Sequence, residues 1–492
     1  MTTSRIKLNW IIGALFALIF AFLFTLRLGI FQKREAVPRE DYPFHAQTQM
    51  DRETWMNILQ QGQKIGYAHR QFYKTDAGYR VLESVFMQIN TMGMVQDIRY
   101  KTEGNFHPNF TLSHFDFDLQ SSLFRFKARG VVKEGTLTLI TSTPGSEQKI
   151  DIPLEKDIHL PIGILETLNA EDLRPGESRT FQVFDPTTAA QRPVKVVMLA
   201  EESIPIMGRQ ESAKKVSIDF MGASQFAWIG KYGTVLKEEG PLGIKLEQVT
   251  KEEALKKIAL LPNTDLAEIA SIPVSRVLHH VDQLMELKLR LGGIEEKDIF
   301  LNGGGQFLSG KILTVRRESI SNLSPQKLSG KVPEEIKTYL EPTPFIQSNH
   351  PEIQAKAREI VSPDDSVVVK AYKLIAWVNQ NIQKRPVVSV PNALETLRNR
   401  VGDCNEHAVL YAALARAAGI PAQVEAGLVY QNGRFYYHAW NVLYLGTWIT
   451  ADSVKGQLPA DVTHLRFVRG TEHQIDLIRM IGKVRLEILS AS

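Results

Sequence analysis

The stretch Gly402-Asp403-Cys404-Asn405-Glu406-His407 decides the fold of the C-terminal part of this chain, and it holds the one cysteine among 492 residues. The segment that follows, 408–418, reads AVLYAALARAA and is rich in strong helix formers. Gly419 and Pro421 then supply a stop signal. The pattern therefore predicts that Cys404 lies in the first turn of a helix, with Asp403 as its N-cap.

A thiol at this place is well suited to be a nucleophile. The unpaired N–H groups and positive end of a helix stabilise a thiolate, and the same amides could hold an oxyanion. Gly402 leaves room for a substrate backbone to approach. A lone cysteine is more often an inert buried residue, so the interpretation of Cys404 depends on its partners.

Two downstream segments supply an imidazole and a carboxylate. Residues 422–430 and 435–445 are predicted to be strands joined by a turn with the sequence QNG, and residues 447–452 form a third strand. His438 lies on the middle strand and Asp452 at the end of the last, 14 residues later (452 − 438). Neighbouring antiparallel strands would place them side by side, so that Asp452 orients His438 and His438 activates Cys404.

With these residues in place, residues from about 350 to 470 resemble the transglutaminase-like superfamily. The matching pieces are GDCNEHA (402–408), RAAGIPAQVEAGLVY (416–430), YHAW (437–440) and WITAD (448–452). The resemblance implies that Cys404 is the nucleophile, His438 the base and Asp452 the orienting acid. Two positions depart from the usual pattern: Gln423 stands where Arg is common, and Asn441 where a Glu is common. Neither departure removes a member of the triad.

The expected function is that of a membrane-tethered cysteine enzyme that acts on peptide or protein amide bonds through a thioester. Transamidase, amidase and peptidase outcomes all remain open, and neither a cofactor nor a metal is expected. The alternative is a non-catalytic envelope protein that binds a partner through its β-rich region and uses the C-terminal core as a scaffold. The intact set of three residues favours the enzyme.

Four further residues near the motif have weaker roles. Trp377 or Gln380 could donate a hydrogen bond to an oxyanion, although a core role suits Trp377 better, and Trp440 is expected to wall the site. His407 follows Cys404 on the same helix, so packing or surface exposure is expected instead of a role as base. Histidines without ligand spacing make a zinc site improbable.

A glycine-rich segment at 305–311, GQFLSGK, nearly spells a phosphate-binding loop. Ile312 stands where a Ser or Thr should hold magnesium, and the residues after it indicate a strand instead of the helix that such a loop needs. We therefore expect a turn between two strands.

The N-terminus predicts a membrane anchor. Residues 8–26, from Leu8 to Leu26, carry no charge, and as a helix they would span about 28 Å, close to the hydrocarbon core of a bilayer. Positive charges flank the run nearly equally, so they do not set its orientation. The resemblance and the large tethered part favour an extracytoplasmic, periplasmic location.

Composition is that of an ordinary globular protein, with 58 Lys and Arg against 54 Asp and Glu and a net charge of +4. This mild excess gives no support for nucleic-acid binding. Period-two alternation between about 55 and 248 predicts antiparallel strands. The fold class is therefore α+β: a papain/transglutaminase-like core, with the cysteine-bearing helix packed on an antiparallel sheet, follows a mostly antiparallel β domain and one N-terminal transmembrane helix. The predicted organisation is an anchor (1–31), a linker (32–50), an antiparallel β-rich domain (51–250), a β-rich module or connector (251–345) and the transglutaminase-like domain (346–492).

Overall fold

Alternating apolar residues build a long antiparallel sheet in the first half of the chain. In the strand Ala190–Ile206, for example, Val194, Val196 and Met198 are buried while Lys195 is exposed. This is a computed structural model, and it describes residues 49–122, 124–143, 146–171, 173–220, 223–258, 265–274, 276–294, 299–320, 332–470, 477 and 480–492. The predicted anchor at 1–31 lies outside these residues. Among the residues described, no helix has both the length and the apolar character needed to cross a bilayer.

The long sheet has fourteen strands in the order β8-β7-β6-β5-β4-β3-β2-β1-β14-β13-β12-β11-β10-β9. Neighbouring strands pair antiparallel, as the sequence predicts, and β1 joins the two halves by pairing with both β2 and β14. The strands are β1 Gln49–Gln60, β2 Gln63–Thr75, β3 Gly78–Thr91, β4 Met94–Phe106, β5 Leu112–Ser121, β6 Arg125–Lys133, β7 Thr136–Thr143, β8 Ser146–Pro153, β9 Ser178–Asp185, β10 Ala190–Ile206, β11 Arg209–Phe220, β12 Ala223–Ile229, β13 Val235–Glu239 and β14 Ile244–Val249.

One helix connects the two edge strands of this sheet. Helix α1 (Pro161–Glu171) follows β8 and precedes β9, and its residues Ile164, Leu165 and Leu168 are buried in a core with sheet residues such as Val183. Helix α1 thereby covers apolar residues of the same sheet whose two edge strands it connects.

A helical layer and a second sheet form the C-terminal core. Helix α2 (Lys251–Ala254) contacts β1 and β2 of the long sheet, and 3-10 turns at Lys231–Gly233 and Pro241–Gly243 connect strands of that sheet. The helices that follow are α3 Leu266–Ala270, α4 Pro351–Ile360, α5 Val367–Asn381, α6 Ala393–Asn399 and α7 Cys404–Ala417, with a 3-10 turn at Glu334–Leu340. The sheet has the order β15-β22-β21-β24, with β23 paired to β22. Its strands are β15 Ile272–Pro273, β21 Ala422–Gln431, β22 Arg434–Tyr444, β23 Trp448–Ala451 and β24 Leu465–Arg469. A short parallel pair joins β19 (Gln383–Lys384) to β20 (Val401–Gly402).

Helix α7 is the centre of this core because almost all of its side chains are buried. Residues from Ala408 to Ala415 are at most 1% exposed. The hydroxyl of Tyr411 donates to the carbonyl of Ala371 in α5 at 3.1 Å, and the amide of Asn441 in β22 donates to the carbonyl of Ala408 at 2.8 Å. The helix that begins at Cys404 is therefore held rigidly against both a neighbouring helix and the sheet.

Three strands in the region predicted as a module or extension of the first β domain do not join the long sheet, and they form a separate sheet with a C-terminal strand. Strands β16 (Glu286–Gly292), β17 (Gln306–Ser309) and β18 (Ile312–Arg316) form a four-stranded sheet with β25 (Arg485–Ala491), in the order β17-β18-β16-β25. Their buried residues Leu287, Leu289 and Leu313 belong to the same core as α7. This sheet is thus part of the C-terminal core, and β25 is one of its two edge strands.

The long sheet and the C-terminal core also share apolar contacts. Phe345 and Val390, which flank α4 and α6 in sequence, are buried in one cluster with sheet residues such as Phe184 and Phe115. This contact brings the turn between β9 and β10 close to the start of α7, where the candidate site lies.

Candidate active site

The sequence around Cys404 folds as a capped helix start. The Asp403 carboxylate accepts a hydrogen bond from the Asn405 amide at 2.8 Å, and the Asp403 amide donates to the Glu406 carboxylate at 2.9 Å. This capping box confirms the predicted N-cap. A Cβ on Gly402 would lie 2.3 Å from Cβ of Glu406. Gly402 therefore makes room for the capping glutamate, where the sequence suggested room for substrate.

The electrostatic setting of Cys404 keeps its thiol protonated at rest. Burial and the adjacent Asp403 carboxylate raise its pKa well above its usual range, while the backbone amide of Ala439 acts in the opposite direction. The helix N-terminus alone was expected to favour a thiolate, whereas burial, followed by the charge of Asp403, raises the pKa of the thiol. A reactive Cys404 consequently needs a base that removes its proton.

His438 and Asp452 form the pair that the sequence predicts. The residue before Asp452, Ala451, ends β23 opposite Asn441 of β22. Nε2 of His438 lies 2.9 Å from Oδ2 of Asp452. Because Asp452 is an acceptor, His438 donates from Nε2, and Nδ1 is the ring nitrogen left to accept a proton.

The Asp452 carboxylate is fixed by its own loop. Its Oδ1 accepts hydrogen bonds from the amides of Val454 at 2.8 Å and Lys455 at 3.0 Å. Although burial opposes ionisation, the contacts with His438 and with His464 hold the pKa of Asp452 well below its usual range. Asp452 is therefore an anion throughout the physiological pH range.

Cys404 and His438 open on one cavity of about 460 Å³. Its floor includes Ala439 and Asn405, and the turn between β9 and β10 contributes Thr187 and Thr188. The remaining lining is Phe345, Ser389, Val390, Pro391, Val409, Ala426, Tyr437 and Leu477. Thiol and imidazole thus line one cavity at the contact between the long sheet and the C-terminal core.

Two other predicted site residues lie elsewhere. Trp377 in α5 packs its ring against the Arg400 guanidinium at 4.5 Å and the Lys356 ammonium at 5.5 Å, and Gln380 is exposed on the same helix. Neither is among the described residues that line the cavity. No oxyanion donor is supplied by these two side chains in this arrangement.

Trp440 lies behind His438 instead of walling the cavity. Its ring is stacked on His438, with centroids 6.1 Å apart, and its Nε1 donates to the Glu425 carboxylate at 3.0 Å. His407 is buried, and its Nδ1 lies 2.7 Å from the Asp403 carbonyl. Burial lowers the pKa of His407, which agrees with the predicted packing role.

The sequence reasoning missed His464. Its Nε2 lies 3.0 Å from Oδ2 of Asp452, the same oxygen that His438 contacts. No sequence motif marks His464, because it lies in the loop just before β24 and has no characteristic spacing from Cys404, His438 or Asp452.

His438, Asp452 and His464 place one nitrogen or oxygen atom each within 4.8 Å of one another, although the sequence suggested scattered histidines. Both histidines already contact the same carboxylate oxygen by hydrogen bonds. We therefore assign the three side chains to a proton network and not to a metal site.

The glycine-rich segment 305–311 folds as expected. Gly310 lies at a turn with φ of 57° between β17 and β18, which pair antiparallel. A helix N-terminus, which a phosphate-binding loop requires, does not follow the lysine, since Ile312 begins β18.

Comparison with known families agrees with the site. Residues 354–453 match the model of the Transglutaminase-like superfamily, so this segment carries a domain of that superfamily, and it contains Cys404, His438 and Asp452. None of the curated proteins compared with the chain is significantly similar to it.

Three solved structures show weak similarity. A candidate cysteine protease from Cytophaga hutchinsonii is 18% identical, with 43% of this chain and 88% of that chain covered and a TM-score of 0.29. A β-barrel-like protein with a domain of unknown function from Brucella abortus is 12% identical over 40% and 95%, with a TM-score of 0.32. A candidate protease from Parabacteroides distasonis is 12% identical over 53% and 64%, with a TM-score of 0.19. At these TM-scores, the similarities establish neither fold nor activity for this chain.

Proposed function

We propose that this protein is a cysteine enzyme that acts on peptide or protein amide bonds through a thioester acyl-enzyme. The observation that carries the proposal is the convergence of Cys404 and His438 on one cavity, with His438 oriented by Asp452 at 2.9 Å. The superfamily match over 354–453 supports a cysteine enzyme.

The chemistry follows from the arrangement of these groups. Nδ1 of His438 accepts the thiol proton as Sγ of Cys404 bonds to the amide carbon. The tetrahedral oxyanion then collapses, the C–N bond breaks, and His438 returns the proton to the leaving nitrogen. The Asp403 carboxylate already accepts from the Asn405 and Glu406 amides, so the backbone amides of Cys404 and Ala439 are the candidates to stabilise the oxyanion.

The second half of the reaction decides the outcome. Water releases the acyl group as a carboxylate, as in an amidase or peptidase, whereas a primary amine forms a new amide, as in a transamidase. In both cases His438 removes a proton from the incoming nucleophile, and the thiol is regenerated. Exclusion of water from the cavity favours the amine.

The cavity lining favours an uncharged acyl group. Of the described residues that line it, His438 is the one with a titratable nitrogen, and none carries a permanent charge. A carboxamide or a peptide segment with apolar neighbours suits such a lining, because a charged group would be desolvated without a partner. The turn with Thr187 and Thr188 forms part of the wall, so the long sheet contributes to substrate selection in this proposal.

The proposed location is the outer face of a membrane. The uncharged run at residues 8–26 would tether the enzyme, and the substrate would then be an envelope peptide or protein. Fusion of a reporter that is active only in the periplasm to the C-terminus tests this orientation.

A second candidate function is a non-catalytic binding or scaffold protein. One observation favours it: burial and Asp403 raise the pKa of Cys404, whereas an activated cysteine often has a lowered one. The pair of His438 and Asp452 beside the thiol argues for the enzyme, because a base that removes the proton makes a preformed thiolate unnecessary.

The experiment uses the full chain in detergent with a glutamine-containing protein and a labelled primary amine. Mass spectrometry distinguishes incorporated amine, conversion of Gln to Glu, and new chain ends. We expect at least one of these products, together with a thioester on Cys404, and no product with Cys404→Ala. Absence of every product and of any acyl adduct on the wild-type thiol would favour the scaffold.

A further inference from the structure

The acidic member of the predicted triad is shared by two histidines. Oδ2 of Asp452 lies 2.9 Å from Nε2 of His438 and 3.0 Å from Nε2 of His464. The side chain of His464 is 2% exposed, and it lies beyond the segment that matches the superfamily. Because His464 is buried, titratable and in contact with this carboxylate, its charge can affect the chemistry of the site.

The contacts of His464 fix its protonation state. Its Nε2 faces the Asp452 carboxylate, and its Nδ1 faces the carbonyl of Asp461 at 3.0 Å and the carboxylate of Asp461 at 3.2 Å. Every one of these partners is an acceptor, so both ring nitrogens must carry a proton. His464 is consequently an imidazolium held between two carboxylates.

Asp461 is fixed in turn by its surroundings. Its carboxylate accepts hydrogen bonds from the amide of Thr463 at 2.9 Å and from the side-chain amide of Gln457 at 3.0 Å, and the Lys455 ammonium is 3.6 Å away. Although burial opposes ionisation, the hydrogen bond and charge of His464, together with Lys455 and Thr463, hold the pKa of Asp461 well below its usual range. The second carboxylate is therefore a fixed anchor for His464.

We infer that His464 is a positioning residue: as a fixed imidazolium it holds Asp452 in place and neutralises part of its charge, so that His438 works as a neutral base. This inference rests on the proposed function. In an isolated triad, the full charge of the carboxylate stabilises an imidazolium at the base. Here that charge is divided between two rings, which favours a resting thiol and neutral imidazole over a thiolate and imidazolium.

The other charged groups around His464 do not contact its ring in the way that Asp452 and Asp461 do. The Trp440 ring meets the His464 ring edge-on, with centroids 5.1 Å apart, and the His438 ring is 6.2 Å away. The small space of about 30 Å³ behind these rings is also lined by ionisable side chains, namely Arg316, Glu318, Glu425, Asp461 and Arg466. Glu425 is paired with Arg466 at 3.3 Å and with Arg469 at 2.8 Å. Asp452 and Asp461 are therefore the acids that contact the ring of His464.

The charge of His464 persists across neutral pH. Although burial opposes it, the hydrogen bonds and charges of Asp452 and Asp461 raise the pKa of His464 to about 9. Its influence on Asp452 is thus present over the whole range in which His438 would act.

The test is the pH dependence of Cys404 alkylation by iodoacetamide in the full chain, which needs no knowledge of the substrate. The variant is His464→Gln, whose side-chain amide can still donate to Asp452 without a charge. Loss of the positive charge gives His438 the full charge of Asp452, which favours the imidazolium and the reactive thiolate, so we expect the midpoint of the alkylation profile to fall by about 0.5–1 pH unit. His69→Gln is the matched control, because His69 contacts Glu53 at 2.7 Å in the long sheet, and its midpoint should equal that of the wild type.

An unchanged midpoint, with a uniform change in rate at every pH, would overturn the inference and leave His464 as a structural residue. If His464→Gln does not fold by circular dichroism, Asp461→Asn is measured instead, and a downward shift is again expected because His464 loses one of the two acids that keep it charged. A shifted profile in a protein without amide turnover supports the inference about His464 and contradicts the proposed function, so the two failures are distinguishable.

Discussion

Nε2 of His438 lies 2.9 Å from Oδ2 of Asp452, in a carboxylate that is fully buried and bonded to two backbone amides. The carboxylate thereby selects the imidazole tautomer that presents Nδ1 as the proton acceptor. A variant that changes one heavy atom of this carboxylate can test that consequence.

Asp452→Asn keeps the shape of the side chain and removes its charge. The amide cannot hold both histidines in the donor state, so His438 would adopt the wrong tautomer, and we expect the rate of amide turnover to fall by roughly 10³–10⁴-fold. Steady-state kinetics with the substrate identified by the amine-incorporation assay checks this. Asp118→Asn, which removes an exposed partner of Arg125 in the long sheet, should leave the rate unchanged. Equal rates for wild type and Asp452→Asn would exclude a role for this pair.

Gly402→Ala tests the capping of the cysteine helix. The new methyl group would lie 2.3 Å from Cβ of Glu406, so Glu406 must move away from the Asp403 amide. We expect the free energy of unfolding to fall by about 1–3 kcal/mol, with slower alkylation of Cys404. Gly292→Ala is the control, because a Cβ there meets no atom within 4 Å. Urea unfolding compares the two, and equal midpoints would show that Glu406 can move at little cost.

Glu425→Gln tests the buried ion network behind Trp440. Glu425 is 1% exposed and is paired with Arg466 and Arg469. Removal of its charge leaves two guanidinium groups partly uncompensated, and we expect a loss of about 3–5 kcal/mol in the free energy of unfolding. Glu487→Gln, in an exposed pair with Arg290, should cost at most about 1 kcal/mol. If both variants lose a similar free energy of unfolding, then burial does not make the charge of Glu425 more important for stability than that of the exposed Glu487.

The raised pKa of His464 makes stability depend on pH. The folded protein keeps this proton up to a pKa of about 9, whereas the unfolded chain loses it near the ordinary histidine pKa of 6.5. The native state therefore binds more protons between these values, and the stabilisation, complete below about pH 6.5, is lost as pH rises towards 9. The loss is on the order of 3 kcal/mol.

Urea unfolding of Cys404→Ala at pH 6, 7.5 and 9 measures this effect without the ionisation of the thiol. Addition of His464→Gln should make stability nearly independent of pH over the same range. A decline of equal size in both proteins would assign the pH dependence to another group.

Local patterns in the sequence predict the elements of the site well. The capped helix start at Asp403 and Cys404, the turn before β22 and the proximity of His438 and Asp452 all follow from residues close in sequence. Burial of Cys404 beside the capping carboxylates could not be predicted, because the capping contact of Glu406 depends on the absence of a Cβ at Gly402.

Long-range pairing explains the rest of what the sequence did not reveal. Strand β16 pairs with β25, about 200 residues further along the chain, and alternation in a strand carries no information about its partner. His464 reaches Asp452 through the loop that follows β23, and the turn with Thr187 and Thr188 reaches the cavity through contacts of the long sheet. These relationships depend on tertiary packing instead of local pattern.

The most direct test of the central claim is labelling of Cys404 by an electrophile that mimics a glutamine carboxamide. The second-order rate constant is measured at pH 7 for the wild type and for His438→Ala, with iodoacetamide as a small reference electrophile. The account predicts rapid labelling of Cys404 in the wild type and a loss of at least about 100-fold in His438→Ala. Labelling at the same rate in both proteins would contradict a nucleophile activated by His438.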